Sequence, residues 1–148
     1  MIAFYRKLCS FWNLSFRTKK LFFKAVYISA LVKTTLVFLP FKVVLSWLGK
    51  QNTESDRESH PGSEYIRVEI KRALALCGMY TFWKTECYTL ALTGKLILKS
   101  YKLPSTLYIG FRKNEKGIFE GHAWLRSYDT ILIGGIVNGD FKVLSFFT

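Results

Sequence analysis

The hydrophobic pattern changes its period once in the second half of the chain, close to Pro104. Between Ser63 and this proline, apolar residues recur every three or four positions, which is typical of amphipathic helices. Ser63 is a credible N-cap for the first helix, and the second is predicted to begin near Cys87. Beyond Pro104, apolar and polar residues alternate, which predicts strands joined by turns at K-N-E-K-G and Tyr128-Asp129. Helices followed by an antiparallel meander predict an α+β fold.

A polar stretch at residues 51–63 contains no large apolar residue and is the one clear linker. It is long for a connection inside a compact domain, which indicates that part of it is disordered. Upstream, dense apolar residues mixed with lysines predict two or three basic amphipathic helices, interrupted at Pro40 and ending at Gly49. The predicted organisation is a basic helical segment at 1–50, the linker at 51–63 and a domain at 64–148.

The positive charge of the chain is concentrated before this linker. The 148 residues carry a net charge of +12, and nine lysines and arginines precede Glu54, the first acidic residue. Such an excess indicates an anionic partner, which is a membrane surface, a nucleic acid or an acidic peptide. A solvated face on amphipathic helices explains the excess equally well.

Composition narrows the class of protein. Half of the residues are hydrophobic, which is too many for a disordered chain. The three cysteines are too few, and odd in number, for a disulfide framework, so we expect a reducing, cytoplasmic setting. The longest run without a charge, Ala73 to Trp83, is too short to cross a bilayer. We therefore do not expect a membrane span, although contact with a membrane surface fits the charge.

Two residues are candidates for catalysis. Cys87 lies at a predicted helix start, where unpaired N–H groups and the helix dipole favour a thiolate and can hold an oxyanion. Cys77 instead falls in mid-helix among small apolar residues, as a core cysteine would. His122 lies in a predicted strand and is the only histidine outside the linker. A cysteine at a helix start facing a strand histidine is the arrangement of papain-like and transglutaminase-like enzymes; the alternative is a buried structural cysteine and an ordinary strand histidine.

The chain lacks the sequence motifs of metal, phosphate and nucleic-acid binding. The chain has no C-x-x-C, no H-E-x-x-H, no phosphate-binding glycine loop and no recognisable nucleic-acid-binding motif. We therefore expect no metal, no cofactor and no nucleic-acid partner.

Four segments, taken in order, carry a resemblance to a known family. They are W-K-T-E-C-Y-T-L-A-L, L-P-S-T-L-Y-I-G-F-R-K, G-H-A-W-L-R and I-L-I-G-G. Trp83 precedes Cys87 by four residues, Gly110 lies in its strand, and His122-Ala123-Trp124 is intact. Together these segments resemble the lasso-peptide leader peptidase family. The resemblance covers nearly the whole chain, because L-P-F-K-V-V-L-S-W-L-G upstream resembles the basic helical segment of these proteins.

The resemblance implies a transglutaminase-like cysteine peptidase core, in which a helix bearing the cysteine packs on an antiparallel sheet bearing the histidine. It implies a cytoplasmic enzyme that removes the leader peptide from a ribosomally synthesised lasso-peptide precursor before macrolactam formation. Cys87 would be the nucleophile and His122 the general base, with the Cys87 N–H and the Trp83 indole stabilising the oxyanion. The implied partners are the precursor peptide, a leader-binding recognition protein that docks on residues 1–50, and a macrolactam synthetase.

The chain departs from the family at the third catalytic position, an aspartate about a dozen residues after the histidine. Gly134 stands there, and counting back from the Tyr128-Asp129 turn places Gly135 opposite His122. Asp129 is too far along the strand to reach the imidazole.

The group that orients the imidazole is therefore open: Asp140, Asn138 and a backbone carbonyl are the candidates. Two other functions also stay open. One is a transglutaminase-like amidase or acyl transferase, and the other is a non-catalytic basic binding module.

Overall fold

Four helices precede four strands in the part of the chain that the computed structural model describes, residues 14–83, 85–135 and 141–148. This order confirms the predicted α+β fold. The helices are α1 (Phe16–Phe38), α2 (Phe41–Ser46), α3 (Ser63–Tyr80) and α4 (Cys87–Ser100). The strands are β1 (Thr106–Lys113), β2 (Phe119–Ser127), β3 (Thr130–Ile133) and β4 (Lys142–Phe147).

The four strands form one antiparallel sheet in the order β3-β2-β1-β4. The predicted meander is right for β1 to β3 and wrong for β4, which pairs with β1 instead of β3. β1 is buried from Thr106 to Gly110, so its backbone groups on both edges need partners inside the protein. The crossing of β4 to that edge supplies them and produces a Greek-key order.

The helices α1, α3 and α4 pack together, and α4 lies against β2. The contact between α4 and β2 is close, since a Cβ on Gly94 would lie 2.6 Å from a methyl carbon of Leu125. One hydrophobic core runs through both halves of the chain, so the basic N-terminal helices fold as part of it. Its members include Leu21, Ala25, Val44, Ile70, Leu74, Ile97, Leu98, Leu107 and Leu125.

The linker is attached to the sheet over its first half. The N–H of Asn52 donates to the carbonyl of Phe146 at 2.8 Å, and the N–H of Ser55 donates to Thr106 Oγ1 at 2.8 Å. Buried Arg126 adds bonds to the Glu54 carboxylate and to the Ser55 carbonyl. Polar residues therefore hold this segment by hydrogen bonds in place of apolar packing.

The start of α3 differs from the prediction by one residue. Ser63 is the first residue of α3 and Gly62 occupies the N-cap position, with its φ of 88° in the left-handed region. Lys95 lies off the apolar stripe of α4 yet is buried, because its Nζ donates to the carbonyls of Ser105 and Phe147. Burial, with the nearby Lys99 charge, lowers the pKa of Lys95 to about 8.

Candidate active site

Cys87 is the first residue of α4, as the sequence predicted. Glu86 occupies the N-cap position with extended backbone, and no described side chain caps the start of this helix. The Cys87 thiol is free and partly exposed. It therefore lies at the positive end of a helix whose first N–H groups are not taken by an N-cap side chain.

Cys77 has the opposite environment. It is fully buried in α3, and its thiol lies 3.4 Å from the hydroxyl group of Ser29 on α1. Burial raises the pKa of the Cys77 thiol, with a smaller opposing effect of Ser29. Cys77 is thus a core residue, as its mid-helix position indicated. Cys9 lies outside the described residues.

His122 lies on β2, where it pairs with Gly110 of β1. Its ring is partly buried between aromatic rings, 5.1 Å from Phe141 and 6.1 Å from Trp124 between centroids. Its Nε2 lies 2.9 Å from the backbone carbonyl of Gly134. Because a carbonyl oxygen can only accept, Nε2 carries the hydrogen, and Nδ1 is left with the lone pair that a general base needs.

Gly134 stands at the position where the leader-peptidase resemblance predicted an aspartate. A bulge between Leu125 and Arg126 puts Leu125 opposite Ile133, which shifts the expected pairing of Gly135 with His122 by one residue. The φ of Gly134 is 98°, and a Cβ there would lie 2.4 Å from the Cβ of Trp124. This backbone therefore has no room for an aspartate side chain, and the carbonyl of Gly134 contacts the imidazole in its place.

None of the acidic or amide candidates for orienting the imidazole lies beside His122 among the described residues. Asp129 lies in the β2–β3 turn, where it contacts Thr130 and the guanidinium group of Arg67, far from His122 as expected. Asp140 and Asn138 lie outside the described residues. Of the three alternatives left open by the sequence, the backbone carbonyl is the one that the described residues provide.

Tyr88 brings the start of α4 close to the part of β2 that carries His122. Its hydroxyl group lies 2.6 Å from the position that a Cβ on Gly121 would take. Burial raises the pKa of Tyr88, and the charge of the adjacent Cys87 adds to this effect. The sequence analysis did not single out Tyr88, although its place directly after the candidate nucleophile was a usable signal.

The described hydrogen bonds do not include one between Cys87 and the His122 ring. On β2, Gly121 and Leu125 face α4, while His122 shares the other side of the strand with Trp124. The described contacts therefore do not bring the Cys87 thiol and the His122 ring together. The pairing of Cys87 with His122 therefore stays a prediction.

Trp83, four residues before Cys87, has an unusual indole group. Its Nε1 is buried and has no hydrogen-bond partner among the described residues. A buried N–H without a partner costs about 1–3 kcal/mol, so such groups are uncommon; Arg67 Nε and Thr89 Oγ1 are in the same state. Trp83 thus has a donor of the kind that an oxyanion-stabilising residue needs, four residues before the candidate nucleophile in the sequence.

The carboxylates of Glu86 and Glu120, which lie near the candidate residues, are both paired with basic or amide side chains. Lys33 of α1 lies 3.5 Å from the carboxylate of Glu86, which offsets a negative charge next to Cys87. Glu120, on the His122 side of β2, is bound by Arg112 and Asn114. Within residues 14–83, 85–135 and 141–148, no three His, Cys, Asp or Glu side chains lie close enough to hold a metal ion.

Comparison with known protein families gives a match over most of the chain. A sequence profile of the Transglutaminase-like superfamily matches residues 35–145, three quarters of the chain. The chain belongs to the transglutaminase-like superfamily. This superfamily includes cysteine peptidases and acyltransferases, and the match spans Cys87, His122 and the sheet. No curated protein and no solved structure matches the chain.

Proposed function

We propose that this transglutaminase-like protein is a cysteine peptidase that removes the leader peptide from a lasso-peptide precursor in the cytoplasm. The observation that carries the proposal is the pair of oriented groups, a thiol at the open start of α4 and an imidazole held by Gly134. The resemblance of the W-x-x-x-C, L-Y-I-G and H-A-W segments to leader peptidases supports the substrate class.

The proposed reaction begins with attack of the Cys87 sulfur on the carbonyl carbon that joins leader to core. The proposal requires substrate binding to bring Nδ1 of His122 to the thiol, whose proton it then takes. The hydrogen bond from Nε2 to the Gly134 carbonyl would stabilise the imidazolium. The oxyanion accepts hydrogen bonds from the Cys87 N–H and the unpartnered indole N–H of Trp83. Donors that are fixed before charge develops lower the barrier, and this is the role proposed for these two N–H groups.

The tetrahedral intermediate then collapses with breakage of the C–N bond. His122 gives its proton to the leaving amine, which is the new N-terminus of the core, and the leader remains as a thioester on Cys87. Water, deprotonated by His122, attacks this thioester and releases the leader with a free carboxylate. One water is consumed for each bond cleaved, and the thiol is restored without a cofactor.

Partners follow from the same proposal. A leader-binding recognition protein would present the precursor, since the described domain is filled by its own core and sheet. A macrolactam synthetase would then use the free amine of the core. We propose both partners on the leader-peptidase resemblance.

Mass spectrometry of the reaction products tests the proposal. The purified chain and its precursor should yield two peptides whose masses add up to the precursor plus one water. Cys87→Ala should yield neither, and Cys77→Ala, the matched control, should yield both. Leader mass increased by an added amine instead of water would indicate an acyl transferase. Intact precursor in the presence of the recognition protein would contradict the peptidase assignment.

A further inference from the structure

The outward face of α1 is unusually apolar for a surface. Six large apolar side chains lie within about 120° of the helix circumference, opposite the stripe that packs on α3 and α4. Each is at least half exposed, and the side chain of Phe38 is 78% exposed. The six residues, called here the aromatic face, are Phe16, Phe23, Tyr27, Leu31, Val37 and Phe38.

The aromatic face continues onto α2, the short helix that follows. Trp47, just after α2, is 60% exposed and lines an apolar groove of about 190 Å³ together with Leu31. Phe41 and Val43 of α2 are also exposed. The apolar surface thus extends over two helices.

Basic residues surround this surface, and acidic residues are absent from the same stretch. Residues 14–53 contain seven lysines and arginines and no aspartate or glutamate. Lys20 is exposed within the arc of the aromatic face, Lys42 is exposed on α2, and Lys24 lies over the ring of Tyr101 at the edge of the arc. Apolar side chains bordered by lysines are the pattern of helices that lie in a membrane interface.

We propose that the aromatic face of α1 docks on an anionic lipid surface, with the helix lying in the plane of the interface. An anionic lipid surface has a hydrocarbon layer beneath negatively charged head groups, and binding to it needs no shape complementarity. An acidic protein partner would need pockets shaped to these exposed rings. The proposal replaces the expectation that a protein partner covers this part of residues 1–50.

The helix lies on the membrane in this proposal and does not cross it. Among the described residues α1 alone is long and apolar enough to span a bilayer, by length and composition only. Its packed side, however, carries Thr18 and Ser29 in the core, and the Thr18 hydroxyl donates to the buried carboxylate of Glu69 on α3. Crossing would remove α1 from this core and leave the Glu69 carboxylate without the Thr18 hydroxyl group.

Docking in this orientation would hold the candidate active site beside the lipid surface. The second half of α1 and the start of α2 reach the beginning of α4 through two contacts. Lys33 pairs with Glu86 at 3.5 Å, and the rings of Phe41 and Tyr88 are 5.2 Å apart. This consequence, unlike the docking itself, rests on the proposed peptidase function.

Co-sedimentation with vesicles tests the proposal on the full chain carrying Cys87→Ala, so that catalysis plays no part. We expect strong binding to vesicles of equal parts phosphatidylglycerol and phosphatidylcholine, weak binding to phosphatidylcholine alone, and release at about 0.5 M salt. Tyr27→Ser with Leu31→Ser and Phe38→Ser should weaken binding at least tenfold. Lys20→Gln with Lys42→Gln should weaken it about thirtyfold, from about fivefold for each basic residue.

A matched control uses exposed apolar residues of another helix, Val68→Ser with Met79→Ser on α3, which should bind as the parent does. Trp47 fluorescence should shift to shorter wavelength on vesicle binding, and this shift should be absent in Trp47→Phe. Equal binding by the aromatic-face variant and the control would overturn the proposal, as would bound protein that resists both salt and alkaline extraction. Binding of the recognition protein but not of vesicles, lost in the same variants, would show that a protein covers the face.

Discussion

The start of α4 and the β2–β3 edge supply the two halves of the candidate site, and they do so by different means. At the start of α4 the chemistry belongs to side chains, the thiol of Cys87 and the indole of Trp83. At the β2–β3 edge the group that holds His122 is a backbone carbonyl, that of Gly134. The side chains at the start of α4 can be predicted from the sequence, whereas the carbonyl that contacts His122 depends on the backbone conformation after β3.

This difference shows how a site can lose an expected side chain without losing the contact that the side chain made. A carboxylate orients an imidazole by accepting a hydrogen bond, and a carbonyl oxygen accepts one as well. The carbonyl lacks the negative charge that stabilises an imidazolium. We therefore expect a slower enzyme than one with an aspartate, although the same nitrogen, Nδ1, remains free.

The largest expected effect separates the two cysteines of the described helices. Cys87→Ala should reduce leader removal to the background rate, because no other thiol lies at an open helix start among the described residues. Cys77→Ala should keep the rate within about threefold while lowering the melting temperature, because it leaves a small gap in the core. Product formation and thermal unfolding of both variants are the measurements. Wild-type cleavage by Cys87→Ala would remove the start of α4 from the mechanism.

The second effect concerns the general base. His122→Ala should lower the cleavage rate by about 10³-fold, within the range that a positioned base contributes. It should also slow alkylation of Cys87 by iodoacetamide near neutral pH, if the imidazole draws the thiol proton. Circular dichroism controls for folding. Unchanged alkylation together with unchanged cleavage would mean that Cys87 acts without His122.

The third prediction tests the backbone half of the site. Gly134→Asp should not restore a catalytic triad; it should lower the rate by about 10²-fold, because its Cβ would displace Trp124 and misplace the imidazole. Gly135→Ala is the matched control, since Gly135 has a φ of 65° but open space around it. Gly135→Ala should lower the unfolding free energy, measured in urea, by about 1–2 kcal/mol, because alanine is strained in the left-handed backbone conformation. A faster Gly134→Asp enzyme would show that the backbone here adapts to hold a carboxylate.

The fourth prediction returns to the start of α4. Trp83→Phe removes the indole N–H and keeps an aromatic ring, so kcat should fall by about 10²-fold or somewhat less. The unfolding free energy should not fall, because an N–H without a partner contributes nothing favourable in the unliganded protein. A loss of stability without a loss of kcat would make Trp83 a packing residue.

The smallest effect compares two aspartates. Asp129→Asn should change the rate by less than about twofold, because Asp129 lies at the far turn beside Arg67. If Asp140 adds to the Gly134 contact, Asp140→Asn should lower the rate much more. Equal, small effects of both would leave the Gly134 carbonyl as the orienting group. Steady-state kinetics of the two variants side by side is sufficient.

The helices and the nucleophile could be predicted from the sequence because they depend on local patterns. Apolar spacing set the extent of α4, and its start put Cys87 at a helix end while Cys77 fell within a core stripe. The alternation of β1 to β3 was local too, as was the hairpin at Tyr128-Asp129. The superfamily followed from the order of these segments and is confirmed by the profile match.

Tertiary structure alone decided the features that depend on distant contacts. β4 pairs with β1 because a strand buried on both sides needs two partners, which no local pattern states. The linker is attached to the sheet through buried Arg126, and the bulge next to that residue moves the register of β3. Past the end of β3, Gly134 takes a left-handed φ of 98°, and its carbonyl lies 2.9 Å from Nε2 of His122. Residue types are sufficient to predict the candidate nucleophile and base. Because every residue has a backbone carbonyl, only the folded backbone determines which carbonyl the imidazole contacts.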